Sequence, residues 1–339
     1  MDIVVTPFDA ADDGAAERAY EIESATRAAD EPDFPPLCRQ RFVGGMRHPM
    51  PGDQPHYALA HLGGIPVGYL AISLPQLENR DNSWIVSLAV HPEHRRRGAG
   101  RALYEYAVRL VRDQGRKRLI GESISTPPGA AQTGPGDAFA AAMGAHAALA
   151  DVRRRLDVTA LDQAGLDRLL DAARARADGY SLVRWTGRTP DGYADDVAYL
   201  DSRLTEDAPL GDLTWEPPKP DVTRLRGVEA ALAARRNRSY HSGMRHDATG
   251  RLVAWTMLAF TATSAWHAFQ QITLVEPRHR GHRLGTIVKI ENLRYALVHE
   301  PGLRVIDTYN AAVNDHMISI NEAMGFRVVG GLNSWQSAV

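Results

Sequence analysis

VHPEHRRRGAGRAL, from Val90 to Leu103, and VEPRHRGHRLGT, from Val275 to Thr286, are two copies of one pattern. In each, an apolar run ends in V-x-P, a short arginine-rich loop follows, and a glycine opens a segment with helical periodicity. Val90, Pro92, Arg95 and Gly100 stand 185 residues before Val275, Pro277, Arg280 and Gly285. A loop that opens a helix presents unsatisfied backbone N–H groups and the positive end of the helix dipole, which together form an anion site. Glycine allows the backbone to approach such an anion closely. Arginines add charge that suits a multiply charged phosphate. One copy alone would be a weak signal. Two copies in the same strand–loop–helix context are not.

The surroundings of the two loops repeat as well. Before the first, HYALAHL and PVGYLAISL flank Gly63-Gly64 as a hairpin, and WIVSLAV, Trp84 to Val90, is an apolar strand. After it come the helix GRALYEYAVRLVRDQG, the strand RLIGESI, the loop PPGAAQTGPG (127–136), a short helix through Phe139 and the strand VRRRLDV. Before the second loop lie the hairpin SYHSGMRHD–ATG–RLVAWTMLAF and the strand FQQITLV. After it lie TIVKIENLRYALVHE, RVIDTYN, HMISINEAMG and FRVVGGLNSW. Gly144 and Gly325, each closing a short helix, are 181 residues apart. A period this long is domain duplication rather than a solenoid. The expected division is an N-terminal domain over 1–160, a linker helix over 161–178 and a C-terminal domain over 179–339.

Composition agrees with two globular domains. The 339 residues fit two units on a prior of roughly 150 residues each. Hydrophobic residues at 44% and charged residues at 24% exclude a mainly disordered chain. A net charge of −2 gives no global field for nucleic acid or anionic membrane. Only Lys117, Lys219 and Lys289 are lysines, against 36 arginines. One cysteine, Cys38, forms no internal disulfide, the N-terminus lacks a signal-peptide core, and Leu252 to Phe260 is far below the ~18 apolar residues of a membrane span. The expected setting is the cytoplasm, with no nucleic-acid or membrane partner.

The loop R95-R-R-G-A-G100, preceded by LAVHP and followed by a helix, resembles the pyrophosphate-binding motif of GCN5-related N-acetyltransferases, the GNAT fold. H279-R-G-H-R-L-G285, together with N310-A-A-V-N-D-H-M-I-S-I-N-E-A-M-G-F326, resembles the C-terminal half of tandem GNAT proteins, the class to which mycothiol synthase belongs. The resemblance covers essentially the whole chain. It implies an α/β (α+β) fold of two tandem GNAT domains, each a mixed, mostly antiparallel sheet flanked by helices. It also implies an acyl-CoA-dependent N-acyltransferase, most simply one transferring acetyl from acetyl-CoA to a small-molecule amine by direct attack.

By that resemblance, the pyrophosphate lies on Arg95, Arg96, Arg97, Gly98, Ala99, Gly100 and Arg101, or on Arg280, Gly281, His282, Arg283, Leu284, Gly285 and Thr286. The pantetheine pairs with Leu88, Ala89 and Val90, or with Leu274 and Val275, and Asn314 takes the place of an asparagine that contacts the cofactor. A strand N–H polarises the thioester carbonyl and a base removes the amine proton. Tandem relatives point to catalysis in the C-terminal domain, with the N-terminal one as a structural or cofactor-holding partner.

The chain departs from the family pattern in two ways. Arg283 replaces the first glycine of the second loop's pair. The tyrosine that protonates the leaving thiolate is replaced by Asn321 in the second half and by Ala140 in the first. Candidate catalytic residues are Glu122 at the end of the fifth strand, Gln271 and Thr273 on the second half's fourth strand, and Asn321. Two alternatives stay open: a CoA-binding or scaffold protein without turnover, and an aminoacyl-tRNA-dependent transferase, which the balanced charge disfavours. His279-x-x-His282 has no further ligands beside it in sequence and is not read as a metal site. Acceptor identity and oligomeric state have no signature in the sequence.

Overall fold

A computed structural model describes residues 2–126 and 134–339. Residues 127–133 of the expected loop lie outside the described residues. The chain forms two compact units: Met1–Ala150 with Gly211–Thr214 and Leu332–Val339, and Asp151–Leu210 with Trp215–Gly331.

Unit 1 contains β1 (Ile3–Phe8), α1 (Asp13–Asp30), α2 (Arg39–Arg47), β2 (Asp53–Leu62), β3 (Ile65–Pro75), β4 (Asn82–Val90), α3 (Ala99–Asp113), β5 (Arg118–Ser125) and α4 (Pro135–Ala142). β6 (His146–Asp157) begins in unit 1 and passes into unit 2 at Asp151. Unit 2 continues with α5 (Gln163–Arg174), β7 (Tyr180–Thr186), α6 (Ala194–Ser202), α7 (Leu204–Asp207), α8 (Val222–Ala234), β8 (Arg238–His246), β9 (Leu252–Phe260), β10 (His267–Val275), α9 (Leu284–His299), β11 (Val305–Ala311) and α10 (Asp315–Met324). The last strand, β12 (Arg327–Ala338), returns to unit 1 from Leu332.

The strand order is β1-β2-β3-β4-β5-β12 in unit 1 and β6-β11-β10-β9-β8-β7 in unit 2. β4–β5 and β10–β11 pair in parallel, while the β1–β2, β2–β3, β3–β4, β6–β11, β7–β8, β8–β9 and β9–β10 ladders are antiparallel. The two halves have therefore exchanged their last strands. β12 lies beside β5, where Trp335 Nε1 donates to Ser123 Oγ at 2.7 Å. β6 pairs with β11 from Asp151–Ala311 to Asp157–Val305. The sequence-based boundary at 160 differs from the structure for this reason. The expected linker does too: Leu166, Leu170 and Ala173 of α5 are buried in the unit 2 core with Ile290 and Leu293 of α9.

Strand alternation supplies each sheet with two apolar faces. In unit 1, Ala58, Ala60, Leu70 and Ile72 pack under α3 through Leu103 and Ala107. The intervening Leu59, Tyr69 and Ala71 pack under α1 through Ala19 and Ile22. In unit 2, α9 covers one face, and Val197 and Leu200 of α6 cover Trp255, Ile272 and Leu274 on another. Cys38 is buried, and its Sγ accepts the Arg41 N–H at the start of α2. Among the described residues no helix is long and apolar enough to cross a membrane.

Candidate functional site: a split strand pair beneath an open helix end

The parallel ladder between β4 and β5 runs from Asn82–Arg118 to Ile85–Gly121 and stops. At that level the β3–β4 register shifts: Ala71 faces Ser87 and Ile72 faces Ile85, leaving Val86 as the extra residue of a bulge. A bulge bends its strand and turns the residues beyond it in a new direction. Ser87 to Val90 therefore lead away from β5 towards the loop at Arg95. Unit 2 repeats this closely. Its ladder runs from His267–Val305 to Phe269–Asp307, and the bulged residue is Gln271, between Gln270–Leu258 and Ile272–Met257. Val86 and Gln271 are 185 residues apart and both are exposed.

The loops above the splayed strands share one backbone. Arg96 and Gly98 have φ of +64° and +95°; Gly281 and Arg283 have +87° and +55°. Both loops thus use two left-handed positions, with glycine and arginine exchanged between them. Arg283 keeps the turn that Gly98 makes, at the modest cost of a side chain in that region. No side chain caps α3 or α9, so their first N–H groups have no side-chain partner, and exposed arginines flank them in the preceding loops. Gly100 gives the close packing: a Cβ there would lie 3.2 Å from Phe139 Cε2.

Two of the arginines have structural work. Arg95 donates to Val90 O and, in bidentate fashion, to Asp30 at 2.8 and 2.7 Å. Arg280 donates to Val275 O and to Asp207 at 2.8 Å. They tie strand end to loop in both units. The side chains of Arg96, Arg97, Arg101 and Arg283 make no hydrogen bond or ion pair among the described residues, and these residues are exposed. His282 donates from Nδ1 to Arg176 O at 3.0 Å, and Tyr180 OH lies 2.8 Å from His279 Nδ1. Burial lowers the His279 pKa against the pull of Glu276. These histidines fix the loop's underside. Among the described residues no group of three or more His, Cys, Asp or Glu side chains is placed to hold a metal ion.

Comparison with known proteins gives this geometry a family. The model of the Acetyltransferase (GNAT) family matches residues 17–126. A solved tandem GNAT protein from the clavulanic acid biosynthesis pathway, determined without acetyl-CoA, is 34% identical with a TM-score of 0.85, over 99% of this chain and 98% of that one. The chain belongs to the GNAT family, in its tandem form. Two more distant structures share the fold. One is the glucosamine N-acetyltransferase region of a fungal multi-domain GH3 β-N-acetylglucosaminidase, at 14% identity and a TM-score of 0.69, over 99% of this chain and 38% of that one. The other is a GCN5-related N-acetyltransferase from Sphaerobacter thermophilus, at 12% and 0.61, over 99% and 95%. No curated protein matches the sequence significantly.

In this tandem GNAT protein the expected site residues fall into distinct surroundings. Leu88 to Val90 and Leu274–Val275 lie on the splayed strand ends, and Gln271 is the bulge itself. The Thr273 hydroxyl is engaged, 2.8 Å from Thr256 Oγ1 and 2.9 Å from Ile272 O. Asn314 caps α10 by accepting the Met317 N–H at 3.3 Å. Asn321 is fully buried on α10; its Nδ2 donates to Asn310 Oδ1 at 2.6 Å, while its Oδ1 has no partner. Glu122 is exposed and accepts from Ser334 Oγ at 3.5 Å.

Three groups escaped the sequence reading. Glu23 of α1 accepts from Ser87 Oγ at 2.6 Å, one residue past the bulge. Burial pushes its carboxyl above the ordinary range, against that hydrogen bond. It is a candidate proton acceptor on the far face of the unit 1 sheet. Its signal was the spacing Ala16, Ala19, Ile22, which puts residue 23 beside the buried stripe. Unit 2 has Ile272 at the position of Ser87, within an apolar cluster. The second group is Asp307, at the foot of the unit 2 splay. It is fully buried and accepts from Arg155 Nε and a terminal guanidinium nitrogen, each at 2.7 Å, and from His267 Nε2 at 2.9 Å. The third is Lys289 of α9, also fully buried.

Proposed function

We propose that this protein is a cytoplasmic acyl-CoA-dependent N-acyltransferase that transfers acetyl from acetyl-CoA to a small-molecule primary amine. The observation that carries the reading is the repeated arrangement of bulge, splayed parallel strands and uncapped helix N-terminus. It offers, in one line, backbone N–H groups for a pyrophosphate and an unpaired strand edge for a pantetheine arm. The chain fits that group through its own donors. The first-turn N–H groups of α3 and α9, with Arg96, Arg97, Arg101 and Arg283, would hold phosphate oxygens.

Bound acyl-CoA supplies an activated thioester. The strand N–H groups beyond Val86 and Gln271 would orient its carbonyl and stabilise developing negative charge there. Arg95 and Arg280 act as positioning residues, holding the strand end to the loop through Val90 O and Val275 O. The near-zero net charge favours a small acceptor over nucleic acid. The origin of the 34% identical relative in clavulanic acid biosynthesis accords with small-molecule chemistry.

The test is release of free CoA thiol from acetyl-CoA across a panel of primary amines. The reading predicts amine-dependent release with formation of the matching amide. Bound acetyl-CoA with no amine-dependent release by any member of the panel would favour a CoA-binding protein without turnover.

A further inference from the structure

α9 runs back along the sheet from the second loop. On its inward face, Gly285 packs against Val275, Thr273 and Ile320, with a Cβ position 3.6 to 3.9 Å from their side chains. One turn further on the same face is Lys289. Its side chain is wholly buried, with Nζ 5.2 Å from the centre of the Phe326 ring, and Nζ has no hydrogen-bond partner. The Phe326 N–H donates to Asn321 O at the end of α10, and Asn321 Oδ1 is also a buried polar atom with no partner. α9 and α10, the helices that follow β10 and β11, thus each carry an unsatisfied buried polar atom. Leaving a buried donor and a buried acceptor unmade is costly, so such groups call for an explanation.

Unit 1 has a different residue at the matching place. Tyr104 stands four residues after Gly100 as Lys289 does after Gly285, and its hydroxyl is satisfied at 3.0 Å by Ser337 Oγ. The orphaned cation is specific to unit 2, where the family's thiolate-protonating tyrosine is replaced by Asn321.

We propose that Lys289 is the proton donor to the leaving CoA sulfur in unit 2, in place of the missing tyrosine. This rests on the acyl-CoA reading above. As an ammonium, Lys289 gives its proton to the sulfur as the carbon–sulfur bond breaks and the sulfur takes the bond's electron pair. As an amine it is recharged by the proton that the acceptor nitrogen loses on forming the amide, passed back through solvent. Proton count and charge balance over the cycle. Burial pushes the Lys289 ammonium down to about 7, so both forms are accessible near neutrality. Of the charged groups on the surrounding elements, Glu291 of α9 pairs with Arg174 and Arg184. Arg154 of β6 lies 3.8 Å from Glu322 of α10, with its Nε and one terminal nitrogen unbonded.

The test needs no acceptor. Full-length wild type and Lys289→Met are saturated with CoA itself, stoichiometry is fixed by calorimetry, and the bound thiol is titrated by thiolate ultraviolet absorbance. A facing ammonium favours the thiolate, so the unit 2 thiol is expected to ionise at a pH about 1 lower in wild type than in Lys289→Met. Lys289→Arg is expected to keep the low titration, because the cation stays. Equal titrations at equal CoA occupancy would overturn the assignment of Lys289 and leave the acyl-CoA reading standing. Absence of CoA binding by folded wild type would overturn both.

Discussion

Asp307→Ala is expected to destabilise unit 2 by about 3–5 kcal/mol, the usual cost of removing one partner from a buried charge network. Arg155 and His267 would keep three N–H donors aimed at the space the carboxylate left in the core. The effect bears on the site because Phe269–Asp307 is the last pair of the β10–β11 ladder before the strands part. Denaturant unfolding followed by tryptophan fluorescence measures it, with Trp266 packed edge-on against His267 as a local reporter. A loss below about 1 kcal/mol would mean that the network contributes no more than a surface pair.

The pH dependence has a defined sign. Burial by itself would raise the Asp307 pKa, but hydrogen bonds from Arg155 and His267 bring it below the ordinary carboxylate value. A depressed carboxyl contributes stability above its unfolded pKa near 3.8 and loses it as pH falls through the folded value. Asp307→Asn is therefore expected to flatten the acid limb of the stability curve.

Lys289→Met is expected to have the opposite effect and stabilise the apo protein at neutral pH. An isolated buried ammonium is costly, and methionine fills similar volume without a charge. The fall from 10.5 to about 7 corresponds to an upper limit of about 5 kcal/mol, at 1.36 kcal/mol per unit. Relaxation and water entry would reduce this to about 2–4 kcal/mol. Between pH 7 and 10.5 the unfolded chain binds more protons at this lysine than the folded one, so wild-type stability rises with pH through that window. Below about 7 both states are protonated and the penalty is constant. The substitution is expected to remove the slope. An unchanged or lowered stability at pH 7 would contradict an unpartnered Nζ. A gain in stability with a loss of thiolate formation in bound CoA is the pattern of a residue kept for chemistry.

Much of this was written in the residues themselves. The V-x-P strand ends, the arginine loops and the 185-residue offset announced two similar units, because strand, loop and helix signals recur in one order. The second loop looked degenerate in sequence, since Arg283 stands where Gly98 does. The backbone explains why it is not: left-handed positions at 96 and 98 correspond to those at 281 and 283, with the glycine moved to 281. The exchange of β6 and β12 was not legible, because each is a strand of similar pattern and its neighbour is chosen by tertiary packing. α2 carries Gly44-Gly45, a pair that favours a turn, so the sequence has no clear helix signal there, although Met46 is buried in the core. Lys289 lies inside the apolar run TIVKIENL, whose pattern predicts only an ordinary helix. Only its place on the Gly285 face separates it from a solvated lysine.

The most direct test of the central claim, that the two loops are cofactor sites, is a calorimetric titration of the full-length protein with acetyl-CoA. Gly98→Glu and Arg283→Glu place a negative charge at matching, exposed loop positions without touching the core. Reversing the field at a phosphate site is worth about 1–4 kcal/mol at contact distance, so each substitution is expected to weaken its own site by about tenfold or more and spare the other. Gly98→Arg, which copies the second loop, is expected to keep binding. Absence of binding by folded wild type, or binding unaltered by both glutamate substitutions, would contradict the assignment of the loops.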